Sequence, residues 1–244
     1  MRSAVIRRSC VAGAAALSLT LLAACSDSGE SGGEGDSGGR TPALSAADLE
    51  KVVLKDGDVE GHKVTEPTAT LDRKDVKPGS DECAPVAYAM VGSVVDEPAA
   101  TVQRETSAEI DPAKAAKSGG TEGLDVTRVL LRLTSYDGDA AQSVMKSLDT
   151  SAKACADGFE VTVDGTSQDV TKVATDTAPE GADEAIAINY LSDAEGTKIP
   201  MKVVIFRKGG TVGYFTALNL ASAATGKDFE FPTAVVDAQV KKLA

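Results

Sequence analysis

The chain has 244 residues, 37 acidic against 25 basic, with one histidine, four cysteines and no tryptophan. A formal charge of −12 excludes the basic footprint that nucleic-acid binding requires and argues against a surface lying flat on anionic headgroups. A single histidine leaves too few nitrogen ligands for zinc and little scope for a histidine-assisted nucleophile.

Residues 1–24 have the three parts of an export signal. Arg2, Arg7 and Arg8 make a basic head, and Val11 to Ala24 supply an apolar run. That run is short of the roughly 20 helical residues needed to cross a bilayer core, so a membrane-spanning helix is the weaker reading. Leu22-Ala23-Ala24-Cys25 closes it with small residues before a cysteine. Head, run, tetrapeptide and polar sequel together resemble the lipobox signal of bacterial lipoproteins. The Ala-, Gly-, Asp- and Val-rich composition is similar to that of actinobacterial members. The resemblance implies that the Cys25 thiol receives a diacylglyceryl group, that the signal is cut before it, and that acyl chains such as palmitate hold the protein on the extracytoplasmic face of the cell membrane. Arg7-Arg8 raises twin-arginine export as an alternative, which Ile6 and Ser9-Cys10 fit poorly.

Ser26 to Pro42 reads SDSGESGGEGDSGGRTP, without one aliphatic or aromatic side chain. Such a segment buries too little surface to order itself, so residues 25–42 are expected to be the lipidated cysteine and a flexible tether. Residues 43–244 are long enough to bury one sizeable core.

Leu44 to Leu49 should open a helix, with Ser45 as N-cap, Asp48 at the third position and Leu44 stapled to Leu49. Asp56 to Thr70 reads as extended chain or loop, punctuated by Asp56-Gly57-Asp58 and Glu60-Gly61. A short helix is expected over Glu82 to Val91, with Pro85 in its first turn and Gly92 as its stop. Strands follow at Ala100 to Ile110 and Val126 to Tyr136. In the second, Val129, Leu131 and Leu133 face one way and Arg128, Arg132 and Thr134 the other. Asp137-Gly138-Asp139 turns the chain into a helix whose Ala141, Val144, Met145, Leu148, Ala152 and Cys155 share a face.

Further strands are read at Phe159 to Val163, Gln168 to Ala174 and Ala185 to Tyr190. Met201 to Phe206 and Val212 to Leu220, apolar on both faces and joined by Arg207-Lys208-Gly209-Gly210-Thr211, should be a central hairpin. A last helix starts near Phe231-Pro232, with Val236, Val240 and Leu243 inward. Strands joined by tight hairpins and interspersed with helices predict an α+β fold: one largely antiparallel central sheet flanked by helices, in a single domain.

Cys10 leaves with the signal and Cys25 is claimed by lipid. Cys83 and Cys155 remain and are expected to pair in an oxidising compartment, with two free buried thiols as the alternative. His62, beside Lys63 in a Gly-bearing stretch, reads as an exposed or strand-edge residue, and no nucleophile-elbow motif accompanies it. The two Asp-Gly-Asp triplets lack the further oxygen ligands of a calcium loop, and no glycine spacing matches a phosphate-binding fingerprint. No catalytic residue, metal site or cofactor is therefore assigned.

Three features of the body, Cys83-Ala84-Pro85, Cys155 and the Val204-to-Gly210 hairpin, are similar to the sensor domain of mycobacterial serine/threonine kinases of the PknH type and its lipoprotein relatives. Those kinase domains carry two disulfides where this chain has one candidate pair. A central apolar sheet edged by helices can hold a cleft for a small molecule, lipid or wall fragment, and the lone His62 argues against a hydrolase, so the expected role is a non-enzymatic, ligand-binding or sensor-like module. The alternative is a protein-interaction or structural accessory of the envelope. The expected partners are the membrane, through the lipid on Cys25, and a small molecule, lipid or envelope protein, with no nucleic acid.

Overall fold

In the computed structural model, which describes residues 42–109, 125–194 and 196–244, the strands form one nine-stranded antiparallel sheet. The elements in chain order are α1 (Ala46–Val52), β1 (His62–Thr65), a single 3-10 turn (Arg73–Asp75), β2 (Val76–Pro78), α2 (Ala84–Met90), β3 (Ala100–Ala108), β4 (Thr127–Ser135) and α3 (Ala140–Ala154). They continue with β5 (Phe159–Val163), β6 (Thr166–Asp176), β7 (Glu184–Ala194), β8 (Thr197–Lys208), β9 (Thr211–Asn219), α4 (Leu220–Thr225) and α5 (Thr233–Lys242). Spatial order is β1-β3-β4-β9-β8-β7-β6-β5-β2. The α+β class with an antiparallel sheet is thus the observed one. Cys25, the lipobox and the tether up to Thr41 lie outside the described residues.

The strands that read as apolar on both faces, β8 and β9, occupy the middle of the sheet. Val203 and Ile205 face a core built with α2 and α3, while Val204 and Phe206 face a second core built with α1 and α5. The two helical layers are staggered. α1 and α5 cover the half of one face that runs from β1 to β7. On the opposite face, α2 and α3 cover the half from β9 to β2. Each face therefore keeps a half without a helix, and both halves matter below.

Local chemistry explains the ends of these elements. Ser45 caps α1 by accepting from the Asp48 N–H at 3.2 Å, and its hydroxyl donates to the Asp48 carboxylate at 2.6 Å. The staple expected from Leu44 does not form: Leu44 is exposed, and its N–H is drawn instead to the Ser135 hydroxyl at 2.7 Å. Asp139 ends the turn before α3 without a side-chain cap, and Asp137 accepts from the Ala43 N–H. The strand expected to reach Leu220 stops at Asn219, whose carbonyl-type oxygen accepts from the Ser222 N–H and starts α4.

Two glycines are required by close approach. Gly158, at φ +99°, leads from α3 into β5, and a Cβ there would fall 2.1 Å from the Val170 carbonyl oxygen. Gly213 leaves room for the Phe206 and Phe215 rings, whose centroids are 5.6 Å apart; a Cβ would come within 2.7 Å of Phe206. Either substitution would meet atoms that cannot move cheaply.

The seven-residue α2 is too short to satisfy its own carbonyls. Hydroxyls from the sheet and α3 reach up to it. Tyr190 donates to the Val86 carbonyl at 3.0 Å, Thr216 to Ala89 at 3.0 Å and Ser151 to Glu82 at 2.7 Å. Cys83, at its N-cap, is joined by a disulfide to Cys155, the C-cap of α3. On the other face, the buried Gln239 amide clamps α1 to α5: Oε1 accepts from the Leu54 N–H at 3.0 Å and Nε2 donates to the Val52 carbonyl at 2.8 Å. Gln239 sits among the inward residues of α5 with Val235, Val236 and Val240, a polar member that apolar periodicity does not reveal.

Candidate functional site

At the border of the α1/α5 cover, that face is floored by β6, β7 and β8. Antiparallel register sets Asn189 directly opposite Lys202 and Ala174 opposite Asn189, so Asp176, Asn189 and Lys202 neighbour one another on that face. After α4, Gly226 adopts φ +71° and passes close to the Lys198 carbonyl. This sends residues 227–232 across the strands before α5 begins. Floor and crossing segment enclose a groove of about 390 Å³. A neighbouring recess of about 250 Å³ shares Asn189 and Asp228 with it. The first volume lies within the range of small-ligand pockets.

The groove presents polar groups from both walls. Lys202 is the central one: its side chain is only 14% exposed, its ammonium lies 3.1 Å from the Asp228 carboxylate and 5.5 Å from the centre of the Phe229 ring. The ammonium thus has one carboxylate and one aromatic face as partners. Asn189 donates to Asp176 at 3.2 Å. The Thr177 backbone N–H, and next the Asn189 amide, hold the Asp176 carboxyl below the usual carboxylate range. Pro179 and Phe231 complete the apolar part of the walls. A fixed cation, three carboxylates (Asp176, Asp228 and Glu230), a carboxamide and aromatic faces suit a small polar molecule with apolar edges. Nothing in the groove forms a nucleophile–base pair.

A larger recess of about 630 Å³ lies on the α2/α3 face near the β7–β8 turn, floored by Ile199 and Met201. Its lining comes from three adjacent strands alone, so it offers groups from one side only. The Lys202 groove, walled from two sides, is the better-formed site.

The residues singled out from sequence fall elsewhere. His62 opens β1 on an edge of the sheet, half-buried, with Nδ1 3.1 Å from the Glu60 carbonyl. Asp56 accepts from the Val64 N–H and Asp58 from the Lys55 N–H and Lys242; these are turn and docking contacts. Among the described residues, no group of three His, Cys, Asp or Glu side chains could hold a metal ion. No described helix is long and apolar enough to cross a membrane. Lys202, Asn189, Asp228 and Phe229 were not distinguishable in the sequence; the sole local sign is a lysine inside the apolar run Met201 to Phe206.

Fold and site together define an α+β module with a helix-flanked antiparallel sheet and a polar groove on one half-face. The same fold is seen in the extracellular domain of PknH from Mycobacterium tuberculosis. That structure matches 84% of this chain and 97% of its own length at a TM-score of 0.54 and 12% sequence identity. At that identity the likeness is one of fold. No protein-family model matches the chain, and no curated protein does.

Proposed function

We propose that the protein is a lipid-anchored, extracytoplasmic, non-catalytic module that binds a small polar ligand in the Lys202 groove and acts in a sensor-like way. The observation that carries this reading is the convergence of Lys202, Asn189, Asp176 and Asp228 from two walls on one groove. The anchor is Cys25, residues 25–42 are the tether, and residues 43–244 are the binding domain. Support for the compartment comes from the export-signal pattern, from the Cys83–Cys155 disulfide and from a fold shared with a domain described as extracellular. An interaction accessory would show a contiguous apolar patch. Among the described residues the exposed large hydrophobics are Leu44, before α1, and Leu220, at the start of α4; two single side chains do not make a large patch, which favours the ligand-binding reading.

The groove is tested by titrating the protein with soluble cell-wall digest fragments, followed by thermal shift. Binding should raise the melting temperature, and Lys202→Met, which keeps the apolar stem, should weaken it by about tenfold or more. Equal affinity in the variant would remove Lys202 from the site. Anchoring is tested separately with a fatty-acid probe in cells: label is expected on wild type and absent from Cys25→Ala. Equal labelling of both would exclude Cys25 as the acceptor.

A further inference from the structure

The other helix-free half-face carries an unusual buried charge. Arg132, on β4, is 2% exposed. Its guanidinium donates through Nη2 to the Leu71 carbonyl at 3.0 Å and through Nη1 to the Asp72 carboxylate at 3.3 Å. Nε, also buried, has no acceptor among the described residues. Burial pulls this guanidinium below its usual value, opposed by Asp72. Its one carboxylate partner among the described residues is itself 55% exposed. A guanidinium has five donors, and leaving a buried one short of acceptors is costly.

Two more buried polar atoms nearby in the fold lack partners among the described residues. Gln103 stands directly opposite Arg132 across the β3–β4 ladder, and its Oε1 is buried with no described donor. Ser93 is fully buried, and its hydroxyl has no described partner. The neighbour before it, Gly92, lies against Leu130, and Val95 two residues later donates to the Tyr214 hydroxyl. Tyr214 is the cross-strand partner of Arg132, so the Gly92-to-Val95 segment passes over the neighbouring strands β4 and β9. An unused donor on Arg132 and an unused acceptor on Gln103 thus stand at directly paired positions on one face.

The cover over them is thin. Residues Glu66 to Asp75 form a strap in which Leu71 is the plug, packed against the α2/α3 core, while Glu66, Thr68, Ala69, Thr70, Asp72, Arg73 and Lys74 are exposed. The strap meets the body through the Leu71 side chain, the Arg132 contacts, the Asp75 carbonyl, which accepts from the Asp164 N–H at 2.8 Å, and Arg73, whose guanidinium lies 4.9 Å from the Tyr88 ring centre.

We propose that Arg132 is the anchor of a second binding site, specific for a small carboxylate bearing a hydroxyl beside it, which the strap keeps closed by lending it the Asp72 carboxylate. The incoming carboxylate replaces Asp72 on the guanidinium and engages Nε, and the neighbouring hydroxyl donates to Gln103 Oε1. With Asp72 displaced, the strap swings out. Affinity is therefore set by competition with an internal carboxylate, which places the site apart from the Lys202 groove on the other face.

The experiment uses the full chain titrated with sodium lactate, sodium acetate and inorganic phosphate at fixed ionic strength, with calorimetry for binding and tryptic cleavage after Arg73 or Lys74 for strap opening. Lactate should bind ahead of acetate and phosphate and accelerate cleavage at the strap. Asp72→Asn should tighten lactate binding by about tenfold, since the internal competitor is gone. Arg132→Lys should abolish binding. Gln103→Leu, which leaves the guanidinium in place and guards against an unfolded Arg132 variant, should erase the preference for lactate over acetate. Unchanged lactate affinity in Asp72→Asn, or lactate binding with no change in strap cleavage, overturns the proposal. Phosphate binding ahead of lactate overturns the carboxylate assignment.

Discussion

Replacing both Cys83 and Cys155 with alanine is expected to lower the melting temperature by roughly 8–16 °C, taking about 2–4 °C per kcal/mol for a domain of this size. The bridge spans 72 residues of sequence. In the chain-entropy model a loop of that length destabilises the unfolded state by about 4 kcal/mol. Against a total stability of about 5–15 kcal/mol, that is a large share. The enclosed loop holds α2, β3, β4 and α3, so the bridge restrains the unfolded chain across nearly a third of the sequence. The fold should survive the loss. Tyr190 and Thr216 still donate to α2 carbonyls and Ser151 to the Glu82 carbonyl just before the helix, each hydrogen bond contributing about 0.5–1.5 kcal/mol net, and Val86, Ala87 and Met90 remain buried. Thermal unfolding followed by circular dichroism, wild type against the double variant, checks this. A shift under about 3 °C would show that the unfolded chain is already restrained there by residual structure.

Much of this architecture is legible in the residues. Val129, Leu131 and Leu133 alternate with Arg128, Arg132 and Thr134, and the strand places its two faces accordingly. The Val203-to-Phe206 run, apolar on both sides, marks a strand covered twice, and β8 lies at the centre. Cys155 falls on the buried stripe of its helix and meets Cys83. What could not be read depends on long-range partners. The edge strand β2 is three residues long and is defined by its pairing with β5, more than 80 residues later. Gln239 is an interior residue because two backbone groups at the end of α1 need it. The groove is formed by Asn189, Lys202 and Asp228 from three separate segments, none carrying a local motif. Arg132 could be assigned to the face opposite Leu131, but its burial comes from a strap 60 residues upstream.

Alkaline pH should unfold the protein steeply. Tyr136, Tyr190 and Tyr214 are each at most 2% exposed, and burial is the main cause that raises all three phenols above their usual value, Tyr214 well above it. Each hydroxyl is engaged: Tyr136 donates to the Val95 carbonyl at 2.6 Å and lies 3.2 Å from the Tyr214 oxygen, and Tyr190 donates to Val86. The bonds that Tyr136 and Tyr190 donate use the neutral phenol, so a phenolate there would lose its donated bond and be left poorly solvated; at Tyr214 the positive charge of Arg132 offsets burial only in part. The unfolded chain releases the same protons near pH 10. Above that value the folded state holds more protons than the unfolded one, and stability falls as pH rises. The contribution is complete below about pH 10 and is lost as pH rises from there toward the folded-state values, by at most about 1.4 kcal/mol per pH unit for each tyrosine and so at most about 4 kcal/mol per unit for three. Urea denaturation at stepped pH should therefore give a near-constant midpoint up to about pH 10 and a collapse above it. Phenolate absorbance from these residues should rise together with the loss of circular dichroism. Tyr190→Phe separates this from a general alkaline effect. At neutral pH it should cost about 1–3 kcal/mol, because the buried Val86 carbonyl loses its sheet donor, while the alkaline slope becomes about a third shallower. Phenolate formation by all three tyrosines in a chain that keeps its folded signal would mean that the packing around Tyr136 and Tyr214 opens to water without unfolding.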